Sequence, residues 1–132
     1  MNKKLLRVLH KIVASELEQV FVYETLMNNK LRNRLLKRPT ETVVDQLIGY
    51  REISTETLEG KDYHTLIPDE VSAVMGRRFY ATQEELHKLD RWEDEYYRKK
   101  LQLLSGNRAW VYLLKVSSMK DMGHNIYAEP SK

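Results

Sequence analysis

A capped helix with a carboxylate near its end is the feature that most constrains how this chain folds. Thr82 and Glu85 have the spacing of a capping box, which predicts that a helix starts here. Leu86 and Leu89 lie three residues apart, so they share the face that packs on the core. Glu93 follows Leu89 by four residues and projects from the same face if the helix reaches it.

A carboxyl group at that place has two interpretations. If the helix continues, Glu93 is held beside Trp92 and under Tyr96 and Tyr97, where burial raises its pKa and suits it to proton transfer. If the helix ends earlier, the side chain of Glu93 points to water and has no special role. Spacing alone leaves both interpretations open.

The composition is that of a single folded domain. The chain has 132 residues, of which 42% are hydrophobic and 31% charged, enough to bury a core. Its net charge of +3 is small, so we expect no nucleic-acid partner. The absence of cysteine excludes disulfides, thiolate metal sites and cysteine nucleophiles. No uninterrupted signal-peptide core or membrane-length apolar run occurs, so we expect a cytoplasmic protein without membrane contact.

The N-terminal segment has its own pattern. Apolar residues recur at helical spacing between charged ones over Lys3–Gln19, which predicts an amphipathic helix. Such a helix packs on its own domain or on a second copy, so a homodimer through this helix is one expectation. The polar stretch after Ser117 contains a proline and predicts a loose tail. We therefore expect a helical extension at 1–19, one domain at 20–117 and a tail at 118–132.

The rest of the chain alternates between β-type runs and short helices. A short helix is predicted around Leu31–Leu36, ending near Pro39. The segment Ser54–Glu70 contains a glycine and a proline, so we expect it to be mainly loop. The pattern predicts an α+β fold, with two or three helices beside a sheet that curls or closes into a barrel. The β-type runs are Val20–Tyr23, Thr42–Ile53, Val71–Ala81, Tyr96–Leu104 and Arg108–Val116.

Five segments between residues 20 and 116 carry a family resemblance. In their order along the chain they resemble the motifs of the gamma-glutamylcyclotransferase-like superfamily, which includes the gamma-glutamylamine cyclotransferases. The N-terminal helix lies outside the resemblance. The segments are VFVYETLM at Val20–Met27, YHTLIPD at Tyr63–Asp69, VMGRRFYAT at Val74–Thr82, EELHKLDRWEDEYYRKKL at Glu84–Leu101 and AWVYL at Ala109–Leu113.

This resemblance implies a mixed β-barrel and a particular reaction. In that reaction the α-amine of a γ-glutamyl compound attacks its own γ-carbonyl, releasing 5-oxoproline and an amine. Glu93 matches the family's catalytic acid/base. The turn made by Tyr23, Glu24, Thr25 and Leu26 matches its substrate cradle, and Tyr97 matches a tyrosine that binds substrate. The substrate is then a small γ-glutamyl compound, and no metal or organic cofactor is required.

Two residues depart from the family pattern. Glu24 stands where the family has glycine, and Asp94 stands where glycine commonly follows the catalytic glutamate. A glutamate at position 24 is a poor fit if the backbone needs a positive φ, and its charge repels a substrate carboxylate. The alternative function is therefore a catalytically silent member that binds a ligand or a protein through the same pocket.

Other chemistry-bearing residues have simpler explanations. The four histidines are scattered along the sequence, so we expect no metal site. Tyr97 is equally well a core aromatic, while Trp110 and Tyr112 alternate as core and surface aromatics. A basic set predicts a solvated helix face, or alternatively a phosphate-binding surface of an interaction protein; its members are Lys30, Arg32, Arg34, Lys37 and Arg38.

Overall fold

The structure is a computed structural model that describes residues 17–56, 60 and 62–115. Most of the expected N-terminal helix and the expected tail at 118–132 lie outside these residues. Glu18 and Gln19, which the sequence pattern assigned to that helix, belong to the first strand. The elements are β1 (Glu18–Val22), a 3-10 turn (Glu24–Met27), α1 (Asn29–Leu36), β2 (Val43–Glu56), β3 (Asp62–Ala81), α2 (Gln83–Trp92), β4 (Tyr96–Gln102) and β5 (Arg108–Leu114).

The strands form one curled sheet in the order β2-β3-β1-β5-β4. The central pair β1–β5 is parallel, and the other neighbouring pairs are antiparallel. The sheet makes a half-barrel, and the backbone N–H of Leu104, just after β4, donates to the carbonyl of Gln46 in β2 at 2.8 Å. The α+β expectation is confirmed, with an incompletely closed sheet in place of a closed barrel.

The central strand β1 is buried on both faces because each face packs against a separate apolar cluster. Val20 and Val22 face the two helices, where they meet Leu86 and Leu89 of α2. Phe21 points the other way, into the inside of the curl. Within the described residues, no helix is both long and apolar enough to span a membrane.

The expectation of a loop over Ser54–Glu70 is wrong for most of that segment. β2 and β3 form a long antiparallel ribbon that runs through it, with residues 57–59 and 61 outside the description. Two residues that disfavour strands, Gly49 and Pro68, lie close together in the ribbon. Gly49 has a φ of +88°, and the register shifts between Ile48 and Tyr50. Tyr50 then pairs with Pro68. Prolines are tolerated in strands next to such bulges, which the sequence alone does not reveal.

Candidate active site

The helix that carries Glu93 begins as the sequence predicts. The Thr82 hydroxyl accepts from the Glu85 N–H at 3.1 Å, and the Glu85 carboxylate accepts from the Thr82 N–H at 3.0 Å. This reciprocal cap fixes the start of α2, so Leu86 and Leu89 are both fully buried against the sheet. The rotation of the helix is therefore set before the chain reaches Glu93.

Glu93 combines features of both sequence interpretations. The helix ends at Trp92, and Glu93 is its first non-helical residue, with its N–H still donating to the Leu89 carbonyl at 2.8 Å. Its side chain nevertheless lines a cavity rather than facing bulk water. Burial raises the pKa of Glu93 from 4.5 to about 7, because the charged form loses its hydration. A carboxyl group with this pKa can both accept and return a proton near neutral pH.

The cavity has a volume of about 180 Å³ and lies where β1, β5 and the end of α2 meet. It is smaller than the roughly 300–1,000 Å³ of pockets for drug-sized ligands, so it suits a small ligand. Aromatic side chains form much of its wall, and Glu93 and the 3-10 turn both contribute. Its lining residues are Phe21, Val22, Tyr23, Glu24, Thr25, Leu26, Tyr63, His64, Glu93, Tyr96 and Tyr112.

The 3-10 turn brings four of the sequence-predicted site residues to the cavity: Tyr23, Glu24, Thr25 and Leu26. Glu24 has a φ of +57°, in the left-handed region that favours glycine. The first N–H groups of such a turn have no carbonyl partner inside it, so they are suited to an anionic ligand. Glu24 stands where the family has glycine, and glycine would adopt this backbone conformation with less strain than glutamate does.

A buried arginine holds the end of this turn. Arg32 is only 2% exposed, and its guanidinium donates to the Leu26 carbonyl at 2.9 Å and to Thr40 Oγ1 at 2.5 Å. Its Nη2 donates to Asn29 Oδ1 at 2.6 Å. The expectation that Arg32 belongs to a solvated basic face is therefore wrong, because its charge is used inside the domain. Arg32 is therefore not available to the basic surface that the sequence predicted around α1.

Of the two neighbouring tyrosines in β4, the structure brings Tyr96 to the cavity and not Tyr97. Tyr96 lines the cavity, and its hydroxyl donates to the backbone oxygen of His64 at 2.8 Å. Tyr97 is 41% exposed and does not line the cavity. The strand alternation predicted that one of them faces inward, but the family match selected the residue on the other face.

Tyr112 is a cavity residue that sequence reasoning missed. Its backbone oxygen accepts from the Tyr23 hydroxyl at 2.5 Å, and its own hydroxyl donates to Asp90 Oδ1 at 2.6 Å. Burial and this hydrogen bond raise the pKa of Tyr112, so it remains a neutral donor. Asp90 in turn accepts from Arg98 Nε at 2.9 Å. The alternation of aromatics in AWVYL was the available signal, but it did not show which face meets the cavity.

A second group of titratable side chains lies at the mouth of the cavity. His64 Nδ1 is 3.7 Å from Glu24 Oε1 and 3.4 Å from Glu52 Oε2. Burial and the adjacent Glu24 carboxyl group raise the pKa of Glu52 to about 7. These three residues could hold a metal ion, since their ligand atoms all lie within 4.8 Å of one another. They come from three distant segments, so the sequence carried no spacing signal for them.

Comparison with known proteins agrees with this fold. Residues 20–130 match the family model described as gamma-glutamyl cyclotransferase, AIG2-like. A search of the curated proteins finds no match for this chain. Among solved structures, the chain is similar to an Arabidopsis thaliana protein solved in solution, with a TM-score of 0.66 and 26% identity over 86% of this chain and 76% of that one.

Two further structures share the fold at lower identity. An uncharacterized human protein has a TM-score of 0.67 and 16% identity over 76% of this chain and 68% of that one. A structure named gamma-glutamyl cyclotransferase has a TM-score of 0.62 and 17% identity over 76% and 68% of the two chains. The family match covers most of the sequence, and the curled sheet with its two helices is the fold of these neighbours. The chain therefore belongs to the gamma-glutamyl cyclotransferase, AIG2-like family.

Proposed function

We propose that this chain releases 5-oxoproline from a small γ-glutamyl amine by intramolecular aminolysis, with Glu93 as the acid/base. The observation that carries the proposal is that Glu93, with its raised pKa, and the Tyr23–Leu26 turn line the same cavity. A proton acceptor and a set of backbone donors facing one small space are what this reaction requires. Aromatic side chains form much of the cavity wall around Glu93; they include Tyr23, Tyr63, Tyr96 and Tyr112.

Each step of the reaction can be assigned to these groups. The Glu93 carboxylate takes a proton from the α-ammonium of the substrate, and the free amine then attacks the γ-carbonyl carbon. The N–H groups of the turn donate to the oxyanion that forms. Glu93 returns its proton to the leaving nitrogen as the old C–N bond breaks. The attacking nitrogen, positively charged after attack, loses its second proton to the departing amine, so the products are the neutral lactam and an ammonium ion and Glu93 is again a carboxylate. Because the attack is intramolecular, the cavity has mainly to hold the substrate in its folded pose.

A catalytically silent binding module is the second candidate, and Glu24 supports it. Its carboxyl group adds negative charge at the cavity and its backbone conformation is unfavourable for a non-glycine residue. Measuring 5-oxoproline release from a panel of γ-glutamyl amines, together with calorimetric binding of the same compounds, separates the two candidates. Binding without turnover would identify the silent module.

Substitution of Glu93 tests the assigned acid/base. Glu93→Gln keeps nearly the same shape but cannot shuttle a proton, so we expect turnover to fall about 100- to 10,000-fold. Asp94→Asn is the matched control, because Asp94 is the exposed neighbour that does not line the cavity. A Glu93→Gln protein that folds normally and retains activity within a few-fold of the parent would remove Glu93 from this role.

A further inference from the structure

Three side chains of types that bind metals converge at the mouth of the cavity. Glu24 comes from the 3-10 turn, Glu52 from β2 and His64 from β3, and their ligand atoms lie within 4.8 Å of one another. Around a tetrahedral zinc ion with bonds of about 2.0–2.2 Å, neighbouring ligand atoms are about 3.3–3.5 Å apart. The His64 Nδ1 distances of 3.4 Å to Glu52 and 3.7 Å to Glu24 are close to that spacing.

The strand ladder supports two of these ligands rigidly. In the β2–β3 ribbon, Glu52 pairs with Leu66 and Ser54 pairs with His64, so Glu52 and His64 are diagonal neighbours on one face. The Tyr96 hydroxyl bonds to the backbone oxygen of His64 and ties this strand to β4. Sites built on strands are positioned more reproducibly than sites on loops.

One carboxylate oxygen of the group accepts no hydrogen bond from the residues that the structure describes. It is Glu52 Oε2, which lies 3.4 Å from His64 Nδ1, although the Glu52 side chain as a whole is 30% exposed. Glu24 adds a second carboxyl group beside it and does so from a left-handed backbone with a φ of +57°. When both carboxyl groups are ionised they repel one another, and a divalent ion between them replaces that repulsion with attraction.

We propose that Glu24, Glu52 and His64 bind a divalent first-row transition-metal ion, best represented by Zn²⁺, at the mouth of the cavity. An imidazole together with two carboxylates favours zinc over Mg²⁺ or Ca²⁺, which prefer oxygen ligands throughout. Three protein ligands leave a fourth position for water or another ligand. Glu24 and His64 line the same cavity as Glu93, but Glu93 is not one of the proposed ligands, so metal binding can be tested without an assay of 5-oxoproline release.

Titration with the metal alone tests this site. The full chain is stripped with a chelator, and ZnCl₂ and MgCl₂ are titrated by calorimetry. We expect one Zn²⁺ per chain with micromolar or tighter affinity, and much weaker binding of Mg²⁺. Co²⁺ is then used as a visible probe, since its absorption spectrum reports a tetrahedral site. Failure of the parent to bind Zn²⁺ in the micromolar range would overturn the proposal.

Variants locate the ion. Glu52→Gln and His64→Ala should each weaken Zn²⁺ binding by about tenfold or more, and His64→Ala should abolish the Co²⁺ spectrum. His87→Ala and Glu70→Gln are the controls, since both residues are exposed and lie outside the cluster. Circular dichroism verifies that each variant folds. Zn²⁺ affinity that persists in the Glu52→Gln/His64→Ala double variant would show that the ion binds elsewhere.

Discussion

At the scale of single residues, Glu93 links the chemistry of the cavity to the stability of the fold. Its pKa is about 7 in the folded chain, against an ordinary 4.5. Between these values the folded state keeps a proton that the unfolded chain has lost, so the free energy of unfolding falls as the pH rises. The contribution is fully present below about pH 4.5 and is lost above about pH 7, with an upper bound of about 3 kcal/mol.

Glu93→Gln should remove this dependence. We expect the variant to be more stable than the parent above pH 7 and to converge with it below pH 4.5, since glutamine never ionises. Urea unfolding of both proteins across this range measures the difference, and subtraction cancels the other titrating groups, including Glu52. A stability difference that does not change with pH would mean that folding does not raise the pKa of Glu93.

Glu24 is the residue whose backbone and charge both oppose a cyclotransferase site. Glu24→Gly relieves a left-handed backbone conformation that costs about 1 kcal/mol, and it removes a negative charge that repels the carboxylate group of the substrate. We therefore expect it to increase 5-oxoproline release from neutral γ-glutamyl amines, assayed in the presence of a chelator. If Glu24 instead contacts the ammonium of a cationic substrate, the variant should lose activity on that substrate alone.

Lys37 supplies the matched control for this substitution. It has the same φ of +57° at the end of α1 and does not line the cavity. Lys37→Gly should therefore change stability by a similar amount without changing turnover. Equal rates for the parent and Glu24→Gly on neutral and cationic substrates would show that position 24 does not control activity.

The residues of the candidate site differ in how far the sequence predicts them. Glu93 and the Tyr23–Leu26 turn could be selected because each lies in a local motif with a defined register. Tyr96 and Tyr97 could not be separated, since strand alternation fixes a difference between faces but not which face meets the cavity. Glu52 had no local signal, and His64 was marked only by its place in the YHTLIPD segment. That the two side chains lie together follows only from the pairing of β2 with β3.

At the scale of elements, the helices and the long ribbon were predicted to different extents. The capping box of α2 is a local signal and was confirmed in atomic detail. The ribbon depends on a bulge at Gly49 that places Pro68 where a strand tolerates it, and this is a property of two segments together. The glycine and the proline in Ser54–Glu70 therefore suggested a loop, although the pairing of β2 with β3 keeps most of this segment in strands.

Gly76 in β3 lies where the neighbouring strand β1 approaches closely. A side chain there would meet the backbone oxygen of Val22 and would lie 2.5 Å from Phe21 Cζ. Because a backbone atom of the central strand cannot move aside, Gly76→Ala should destabilise the domain by more than about 2 kcal/mol. Gly49→Ala, which meets no atom within 4 Å but has a positive φ, should cost only about 1 kcal/mol.

Chemical denaturation of both glycine variants provides the measurement. The expected order is a larger loss for Gly76→Ala than for Gly49→Ala. The reverse order would mean that β1 and β3 are not as close at this point as the structure places them, and the packing of the central strand would need revision.

At the scale of the whole molecule, the half-barrel has two edge strands, and a polar contact ties them together. Asp45 in β2 is 6% exposed, and its carboxylate accepts from Ser105 Oγ at 2.5 Å and from Arg78 Nε at 2.8 Å. Although burial opposes ionisation, these hydrogen bonds keep the pKa of Asp45 below its usual range. The turn after β4 is thereby held against β2, which limits further opening of the sheet.

The outer face of the β2–β3 ribbon still presents apolar side chains to solvent in the described part of the chain. Val44, Ile48 and Met75 lie on one face of the ladder and are 52%, 48% and 57% exposed. The amphipathic sequence pattern upstream of β1 predicts a helix with one apolar side, which would be complementary to this face. We therefore expect the N-terminal segment to pack on the domain or on a second copy.

Removal of residues 1–16 tests that expectation while leaving β1 intact. Loss of a packed apolar surface should lower the melting temperature, or change the mass in solution if the segment joins two copies. In the full chain, replacing Leu5, Leu9 and Ile12 with serine should reproduce the effect, whereas replacing Lys4 and Lys11 with serine should not. A truncated protein with unchanged melting temperature and mass would show that the segment packs neither on the domain nor on a second copy.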